Sequence, residues 1–358
     1  MGHPAGAARL EGRGLREGFV EERIPEKNKK PGVVYAWTDN GIELPVIDLT
    51  NPAFVFEMSE AELNALIDAM TRASKTPVAV LRSIAPQSIL VRGMVESAGT
   101  FTTGMMTYLN KLGPGNLGDG YAGPLDRQWA ASLTPVTFRW RMRDVVGLLA
   151  KDLAGALADH PSVPVYLLNI GGGPAMDSLN ALILVYKEHP ELLAGRPVDL
   201  WVLDIDSEGP LFGQRALQAL SQEGAPLHGL AVTFNYVAYN WSDPAVLRGV
   251  LESIPPAAVG MGSSEGGLFE YATDEEIVAN LEVLHACTSP DFRMVGPVVR
   301  DAQSSDPRLS TMDQVEGRPA IRFIGLEAFQ KLAARAGWVI EQTLDGPMHQ
   351  VVSLRKAL

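Results

Sequence analysis

The sequence has one cysteine, no long apolar run and no concentrated basic region, and each absence argues against a class of protein. With Cys287 alone, a disulfide framework and a multi-cysteine metal site are both ruled out. The six histidines show no metal-ligand spacing, so no metal centre is predicted. No segment contains the roughly 18 apolar residues that span a bilayer, and the N-terminus lacks the apolar core of a signal peptide. We therefore expect a cytoplasmic protein without membrane contact.

The net charge of −12 argues against a nucleic-acid-binding protein. Such proteins need a clustered basic face, because much of their affinity comes from neutralising phosphates. The basic residues at 27–30 and 139–143 form two short, isolated clusters. No nucleic-acid partner is expected, whereas the sequence leaves a homodimer open.

Three regions differ in composition along the 358 residues. Residues 1–32 are rich in Gly, Arg, Glu, Lys and Pro and are interpreted as a mobile tail. Residues 33–135 combine a hairpin signal at Asn40-Gly41 with helical segments and form the predicted cap or substrate region. The glycine-rich stretch at 112–125 is expected to be an irregular loop and a candidate lid. Residues 136–358 form the predicted main domain.

In that main domain, strand and helix patterns alternate. The alternation predicts an α/β fold with a mostly parallel sheet of seven strands. The last two strands, expected at 338–343 and 349–354, form an antiparallel terminal hairpin. A mainly helical cap precedes the sheet.

The most informative segment is a glycine turn in the sequence Leu168-Asn-Ile-Gly-Gly-Gly-Pro-Ala175. The apolar run before it is typical of a buried parallel strand, and a helical pattern begins directly after it. Glycine suits this turn because the backbone must bend sharply and approach a ligand closely. The next apolar run ends in Asp204-Ile-Asp206, where a carboxylate is placed to bind the two hydroxyls of a ribose. Together these segments predict a site for a nucleoside-containing cofactor.

Residues 136–358 resemble the class I S-adenosylmethionine-dependent methyltransferases. The glycine turn is similar to the first motif of that superfamily, and Asp204 and Asp206 are similar to the acidic end of its second strand. The closing helix, strand and hairpin also have the order of its last elements. The chain departs from the usual motif at Asn169, where an acid is commonest, and at Ala175, which replaces the last glycine. The resemblance implies a Rossmann-like fold and S-adenosylmethionine as the cofactor.

The resemblance also implies a set of cofactor-binding residues. The glycine turn is expected at the methionine part of the cofactor, with Asn169 two residues before it in the same motif. Asp204 is expected to bind the ribose, with Asp206 as the second candidate. The last two residues of the set, at the predicted tip of the third strand, would border the adenine. An aromatic cluster at 236–241 could stack on the cofactor, with core packing as the alternative. The set consists of Asn169, Gly171, Gly172, Gly173, Asp204, Asp206, Asn235 and Tyr236.

Two residues are candidates for catalysis. Glu265 follows the fourth strand at the carboxyl edge of the sheet, where ligands bind in this architecture, and could act as a base or orient the acceptor. The alternative is a solvated loop acid. His349 lies beside the turn of the terminal hairpin and could be a general base if that turn lies on the cofactor edge. A surface position is the alternative for His349.

The resemblance favours a methyltransferase for a small-molecule substrate, with oxygen slightly preferred over nitrogen or sulfur as the acceptor atom. A cap of about a hundred residues suits an enclosed small acceptor. Three alternatives stay open. One is transfer of an aminopropyl or aminocarboxypropyl group from the same type of cofactor, and another is S-adenosylmethionine binding without catalysis. The third is a nicotinamide dehydrogenase, which Met176 disfavours because the dehydrogenase fingerprint needs Gly or Ala there.

Overall fold

A computed structural model describes residues 22–97, 101–119, 121–309 and 321–357. Residues 1–21, the start of the predicted tail, lie outside the described residues. The strands are β1 (Tyr35–Trp37), β2 (Glu43–Pro45), β3 (Val165–Ile170), β4 (Pro197–Asp204), β5 (Ala231–Ala238), β6 (Val259–Ser263), β7 (Arg293–Val299), β8 (Trp338–Asp345) and β9 (His349–Lys356). The helices are α1 (Glu60–Ala73), α2 (Val78–Ile84), α3 (Ile89–Glu96), α4 (Gly104–Lys111), α5 (Pro124–Ala130), α6 (Leu133–Asp159), α7 (Met176–Glu188), α8 (Pro190–Leu193), α9 (Glu208–Leu220), α10 (Pro244–Ser253), α11 (Leu268–Tyr271), α12 (Asp274–Cys287) and α13 (Leu326–Arg335).

Seven strands form the main sheet, in the order β5-β4-β3-β6-β7-β9-β8. The five strands β3 to β7 pair in parallel, whereas β9 lies between β7 and β8 and is antiparallel to both. The predicted fold class, a Rossmann-like sheet with an antiparallel terminal hairpin, is therefore confirmed.

Helices cover both faces of this sheet, which explains the apolar character of its central strand. All six residues of β3 are buried. Val165 and Leu167 belong to a hydrophobic cluster with α6 and α7, while Leu168 and Ile170 belong to a second cluster with α10 and α12. Because β3 lies between β4 and β6, the carboxyl ends of these three strands are neighbours. The turns that follow them therefore meet at one edge of the sheet.

A cap made of the β1–β2 hairpin and helices α1 to α5 precedes the sheet, which confirms the predicted mainly helical cap. Tyr35 pairs with Pro45 across the hairpin, and a capping box at Ser59 and Glu62 begins α1. Apolar side chains of the cap share one hydrophobic cluster with α6, α7 and the sheet. Helix α6 runs across residue 136, and the domain boundary placed there stays a prediction.

The described part of the predicted tail contacts the hairpin. Glu22 bridges to Ile42, and Nζ of Lys29 lies 3.0 Å from a carboxylate oxygen of Glu43. Residues 22–32 are therefore tied to the β1–β2 hairpin. In the described residues, no helix combines the length and the apolar character needed to span a bilayer.

Candidate active site

The turn after β3 combines left-handed backbone with close packing. Gly171 has φ +64° and Gly173 has φ +57°, a region that side chains with a Cβ rarely adopt. Ala175, at +54°, precedes α7. A Cβ on Gly171 would lie 3.2 Å from the Trp241 ring and 3.3 Å from the Cα of Gly267. Because Gly171 has no side chain, the space between the turn and these two residues stays free.

Asn169 lies beneath this turn. Its side chain is fully buried, and Nδ2 donates to the carboxylate of Asp177 at 2.7 Å. A Cβ on Gly172 would come within 2.1 Å of the Asn169 Oδ1 atom. Gly172 is therefore required for the turn to pack on Asn169. Direct contact of Asn169 with a cofactor stays a prediction.

Gly173 contacts protein backbone on two sides. A Cβ at 173 would lie 2.6 Å from the Cα of Gly104 at the start of α4. A Cβ on Gly209, in the first turn of α9, would lie 2.8 Å from the Cα of Gly173. Gly171 and Gly172 line the adjoining cleft, whereas Gly173 joins the turn to the cap and to α9.

The two acids at the end of β4 have different partners. Asp204 is buried, and its oxygens accept hydrogen bonds from the backbone N–H groups of Gly173 and Asp206, both at 2.9 Å. Burial raises the pKa of Asp204, and the two N–H groups oppose that rise. Asp206 accepts a hydrogen bond from the N–H of Glu208 through Oδ1. Its Oδ2 atom is buried and has no hydrogen-bond partner among the described residues, so it is an acceptor still available to a ligand.

These groups face a cleft at the carboxyl edge of the sheet. The cleft has about 760 Å³ of space free of protein atoms, part of it open to solvent. The core contributes the glycine turn, the two acids and the loop after β6, and the cap contributes residues 101–104, Thr107 and Lys111.

Aromatic and apolar side chains form part of the cleft wall. Phe101 of the cap makes edge-on contacts with Trp241 and Tyr271, with ring centroids 5.5 and 5.4 Å apart. Ile205, between the two acids, is 61% exposed and also lines the cleft. Trp241 is thus the member of the 236–241 aromatic cluster that faces this space.

Glu265 lines the cleft as well, but it is a buried ion-paired carboxylate. One oxygen accepts a hydrogen bond from Nε of Arg141 at 2.6 Å, and the other contacts Nζ of Lys111. The predicted alternative of a solvated loop acid is therefore wrong. A catalytic role for Glu265 stays a prediction.

His349 lies at the carboxyl edge of the sheet but does not line the cleft. It pairs with Val299 at the carboxyl end of β7, so the hairpin turn does lie on that edge. His349 is buried, and its Nε2 lies 3.4 Å from the Glu270 carboxylate, which in turn binds Arg141. The alternative of a surface position is wrong. Its role as a base stays a prediction.

The predicted tip of the third strand needs correction. Strand β5 ends at Ala238, so Asn235 and Tyr236 lie within it and not at its end. Tyr236 is buried, and its hydroxyl donates to the backbone oxygen of Asp204 at 3.3 Å. The polar Asn235 ended the predicted strand too early, because β5 is the edge strand of the sheet and tolerates half-buried polar residues. Contact of either residue with adenine stays a prediction.

The glycine-rich loop at 112–125 packs away from the cleft. Asn116 donates to the backbone oxygen of Ala53 at 2.9 Å, and Arg127 binds the Leu117 carbonyl at 3.3 Å. No described residue of this loop lines the cleft. The part of the cap that covers the cleft is the segment just before it, residues 101–111.

The site residues that were missed from the sequence include Phe101, Lys111, Arg141 and Tyr271. Lys111 and Arg141 meet Glu265 only in the folded chain, across 154 and 124 residues. No local spacing signals such pairs. Only Arg141 could have been found from the sequence, because it lies on the apolar face of a long predicted helix. A buried charge at such a position costs free energy unless it is paired, which indicates an acidic partner.

Solved structures match this chain at low similarity, while no family model and no curated protein matches it. A possible exported protein from Bordetella parapertussis is 17% identical over 84% of this chain and 100% of that chain, with a TM-score of 0.48. The mitomycin 7-O-methyltransferase MmcR is 16% identical over 84% and 74%, with a TM-score of 0.38. LepI, solved in complex with SAM, is 15% identical over 58% and 46%, with a TM-score of 0.37. This chain spans about half the length of LepI. These likenesses assign no activity to this chain.

Proposed function

We propose that this protein binds S-adenosylmethionine and catalyses transfer of its methyl group to a small molecule. The observation that carries the proposal is the pair Asp204 and Asp206 at the end of β4, which faces the same cleft as the glycine turn after β3. Carboxylates at this position bind ribose hydroxyls in nucleotide-binding α/β folds. The buried Oδ2 of Asp206, without a partner among the described residues, is an acceptor that a ribose hydroxyl would satisfy.

The remaining lining residues are compatible with the same cofactor. Ile205 and Trp241 offer apolar surface for a planar base. Gly171 lets the cofactor approach the backbone of the turn closely, because a Cβ at this position would occupy the space beside Trp241 and Gly267. Phe101, Trp241 and Tyr271 would exclude water from the reacting atoms, and their ring faces suit a nearby cation.

Bound S-adenosylmethionine supplies an electrophilic methyl group on a sulfonium, and the neutral thioether that leaves needs no general acid. The protein must therefore hold the acceptor in line and keep water out, which can lower a barrier by roughly 7–11 kcal/mol. The cap segment 101–111 and the aromatic wall contribute residues to the cleft lining, and we propose that they serve both tasks. An oxygen acceptor stays our first choice, with Glu265 and His349 as the predicted bases.

Cofactor binding is tested by calorimetric titration with S-adenosylhomocysteine. We expect Asp204→Asn and Asp206→Asn to weaken binding by about 10- to 100-fold each, because each loses a charge-assisted hydrogen bond to the ribose. Glu223→Gln, at an exposed position beyond α9, is the control and should bind normally. Normal affinity in both Asp variants would contradict the ribose role.

The reaction itself is tested with methyl-labelled S-adenosylmethionine and fractionated small-molecule extracts. We expect label in a small molecule and S-adenosylhomocysteine as the co-product. Methylthioadenosine as the co-product would instead establish the aminocarboxypropyl transferase. The aminopropyl transferase would release methylthioadenosine only when decarboxylated S-adenosylmethionine is supplied in a parallel assay, and binding without any turnover would favour the non-catalytic alternative. The homodimer stays a prediction that sedimentation can test, and the cytoplasmic location stays a prediction that cell fractionation can test.

A further inference from the structure

The cleft carries a pair of opposite charges away from its acidic end. Lys111 reaches it from the last residue of α4, and Glu265 reaches it from the loop after β6. Both side chains are buried, and their charged groups are in direct contact. Asp204 lies at the end of β4, with β3 between β4 and β6. At a strand spacing of about 4.8 Å, the ends of β4 and β6 lie roughly 10 Å apart.

Both partners of this pair keep unused bonding capacity. A lysine ammonium has three N–H donors, and within the described residues Glu265 is the sole hydrogen-bond acceptor of Lys111. Glu265 binds Lys111 through one oxygen and Arg141 through the other. Each carboxylate oxygen can accept two hydrogen bonds. The pair can therefore bind one further anion at Lys111 and one further cation at Glu265.

The surrounding charges select for a ligand end that carries both signs. Lys111 and Arg141 balance Glu265 and Glu270, all four buried. Burial and the nearby charge of Glu265 raise the pKa of Asp177, which favours its uncharged form. A lone amine or a lone carboxylate would add an uncompensated charge to this buried set, which is costly. A zwitterion adds no net charge.

We propose that Lys111 and Glu265 bind the amino-acid end of the cofactor, and this rests on the proposed function. Lys111 donates to the α-carboxylate, and Glu265 accepts from the α-ammonium. In this assignment Glu265 binds the cofactor, which replaces the role as a base that the sequence predicted for it, and His349 remains the predicted base. Lys111 makes the cleft selective for a cofactor that retains its carboxylate, so it discriminates against the decarboxylated form that aminopropyl transferases use.

Calorimetric titration with three probes tests this assignment. S-Adenosylhomocysteine has both charged groups, S-adenosyl-3-thiopropylamine lacks the carboxylate, and methylthioadenosine lacks both. We expect the unsubstituted protein to prefer S-adenosylhomocysteine over the thiopropylamine by about 10-fold or more. Equal affinity for these two probes would overturn the proposal without any variant being made.

The variants add a residue-specific pattern. Lys111→Met should weaken S-adenosylhomocysteine by about 10- to 100-fold without weakening the other two probes. Glu265→Gln should weaken both amine-containing probes and spare methylthioadenosine. Lys151→Met, at an exposed lysine of α6, is the control for Lys111→Met and should bind all three probes normally.

Methylthioadenosine also reports whether each variant is folded. Lys111→Met that binds all three probes equally weakly would indicate a structural lysine and overturn the proposal, as would unchanged binding of S-adenosylhomocysteine. Lys111→Arg, which keeps the charge, should restore part of the lost affinity. If the unsubstituted protein binds none of the three probes, the proposed function itself is contradicted. If it binds methylthioadenosine as tightly as S-adenosylhomocysteine, only the role of Lys111 and Glu265 is contradicted.

Discussion

At the scale of single residues, Gly173 shows that one motif position can serve two purposes. The sequence predicted its turn correctly, because an apolar strand, three glycines and a helical pattern follow one another. Its contact with Gly104 could not be predicted, since the two residues are brought together only by the packing of α4 on the turn. A glycine motif indicates that some other group lies close to the backbone of the turn, but it does not indicate whether that group is a ligand or another part of the protein.

Gly173→Ala should destabilise the fold more than its backbone angle explains. Both Gly173 and Gly195 have positive φ, and forcing alanine into that region costs about 1–2 kcal/mol. A Cβ at 173 would also collide with the Gly104 backbone at 2.6 Å, whereas one at 195 meets nothing within 4 Å. We expect Gly173→Ala to lower the free energy of unfolding by about 3 kcal/mol and Gly195→Ala by about 1–2 kcal/mol in urea titrations. An equal decrease in the free energy of unfolding for both variants would show that α4 shifts at little cost to accommodate the added Cβ.

At the scale of elements, α6, α11 and β9 meet in a buried charge cluster behind the cleft. Arg141 of α6 binds Glu270 of α11 at 2.8 Å, and His349 of β9 lies against the same carboxylate. Burial alone would raise the pKa of Glu270, but Arg141 and His349 hold it at about 2, below the ordinary 4.5. Tyr271 is the other titratable group beside it.

This depressed pKa predicts a loss of stability in acid. The contribution of Glu270 is fully present above pH 4.5 and is lost as the pH falls toward 2, because the unfolded chain takes up the proton first. Between pH 5 and pH 3 the unsubstituted protein should lose about 2 kcal/mol more than Glu270→Gln in urea titrations. Glu223→Gln, with its exposed side chain, should lose as much as the unsubstituted protein. Identical pH dependence in Glu270→Gln would contradict the assignment.

The elements themselves were largely predictable, and the failures have physical causes. The strands β3 and β4 are mostly apolar, so their carboxyl ends and the glycine turn followed from the sequence. The end of β5 was not predicted correctly, because an edge strand mixes polar and apolar residues and the polar Asn235 was interpreted as the last residue of the strand. The buried positions of Glu265 and His349 depend on partners from distant helices, which no local pattern contains.

At the scale of the whole molecule, the cap and the sheet share one hydrophobic core. Tyr108 of α4 packs on Phe212 of α9 with ring centroids 4.8 Å apart, and both belong to the cluster that reaches Leu167 in β3. Cap residues also complete the cleft. The composition change near residue 136 indicated two regions, but composition does not report whether regions share a core.

We therefore expect the cap and the sheet to unfold together. Two variants that each retain one of the six tryptophans, Trp129 in α5 or Trp338 in β8, would report on the cap and the sheet separately by fluorescence. Their midpoints in urea should coincide, because a shared core couples the two regions. A lower midpoint for Trp129, with Trp338 unchanged, would mean that the cap unfolds independently.

The backbone contact between Gly104 and Gly173 also sets a rule for recombination. Exchange of the cap with that of a related protein is a natural way to alter the acceptor. A chimera whose donor cap has a side chain at the position of Gly104 would push α4 off the turn and open the cleft. Such libraries should therefore keep glycine at both positions, so that new specificity is sought at the other cap residues that line the cleft and the contact between α4 and the turn is preserved.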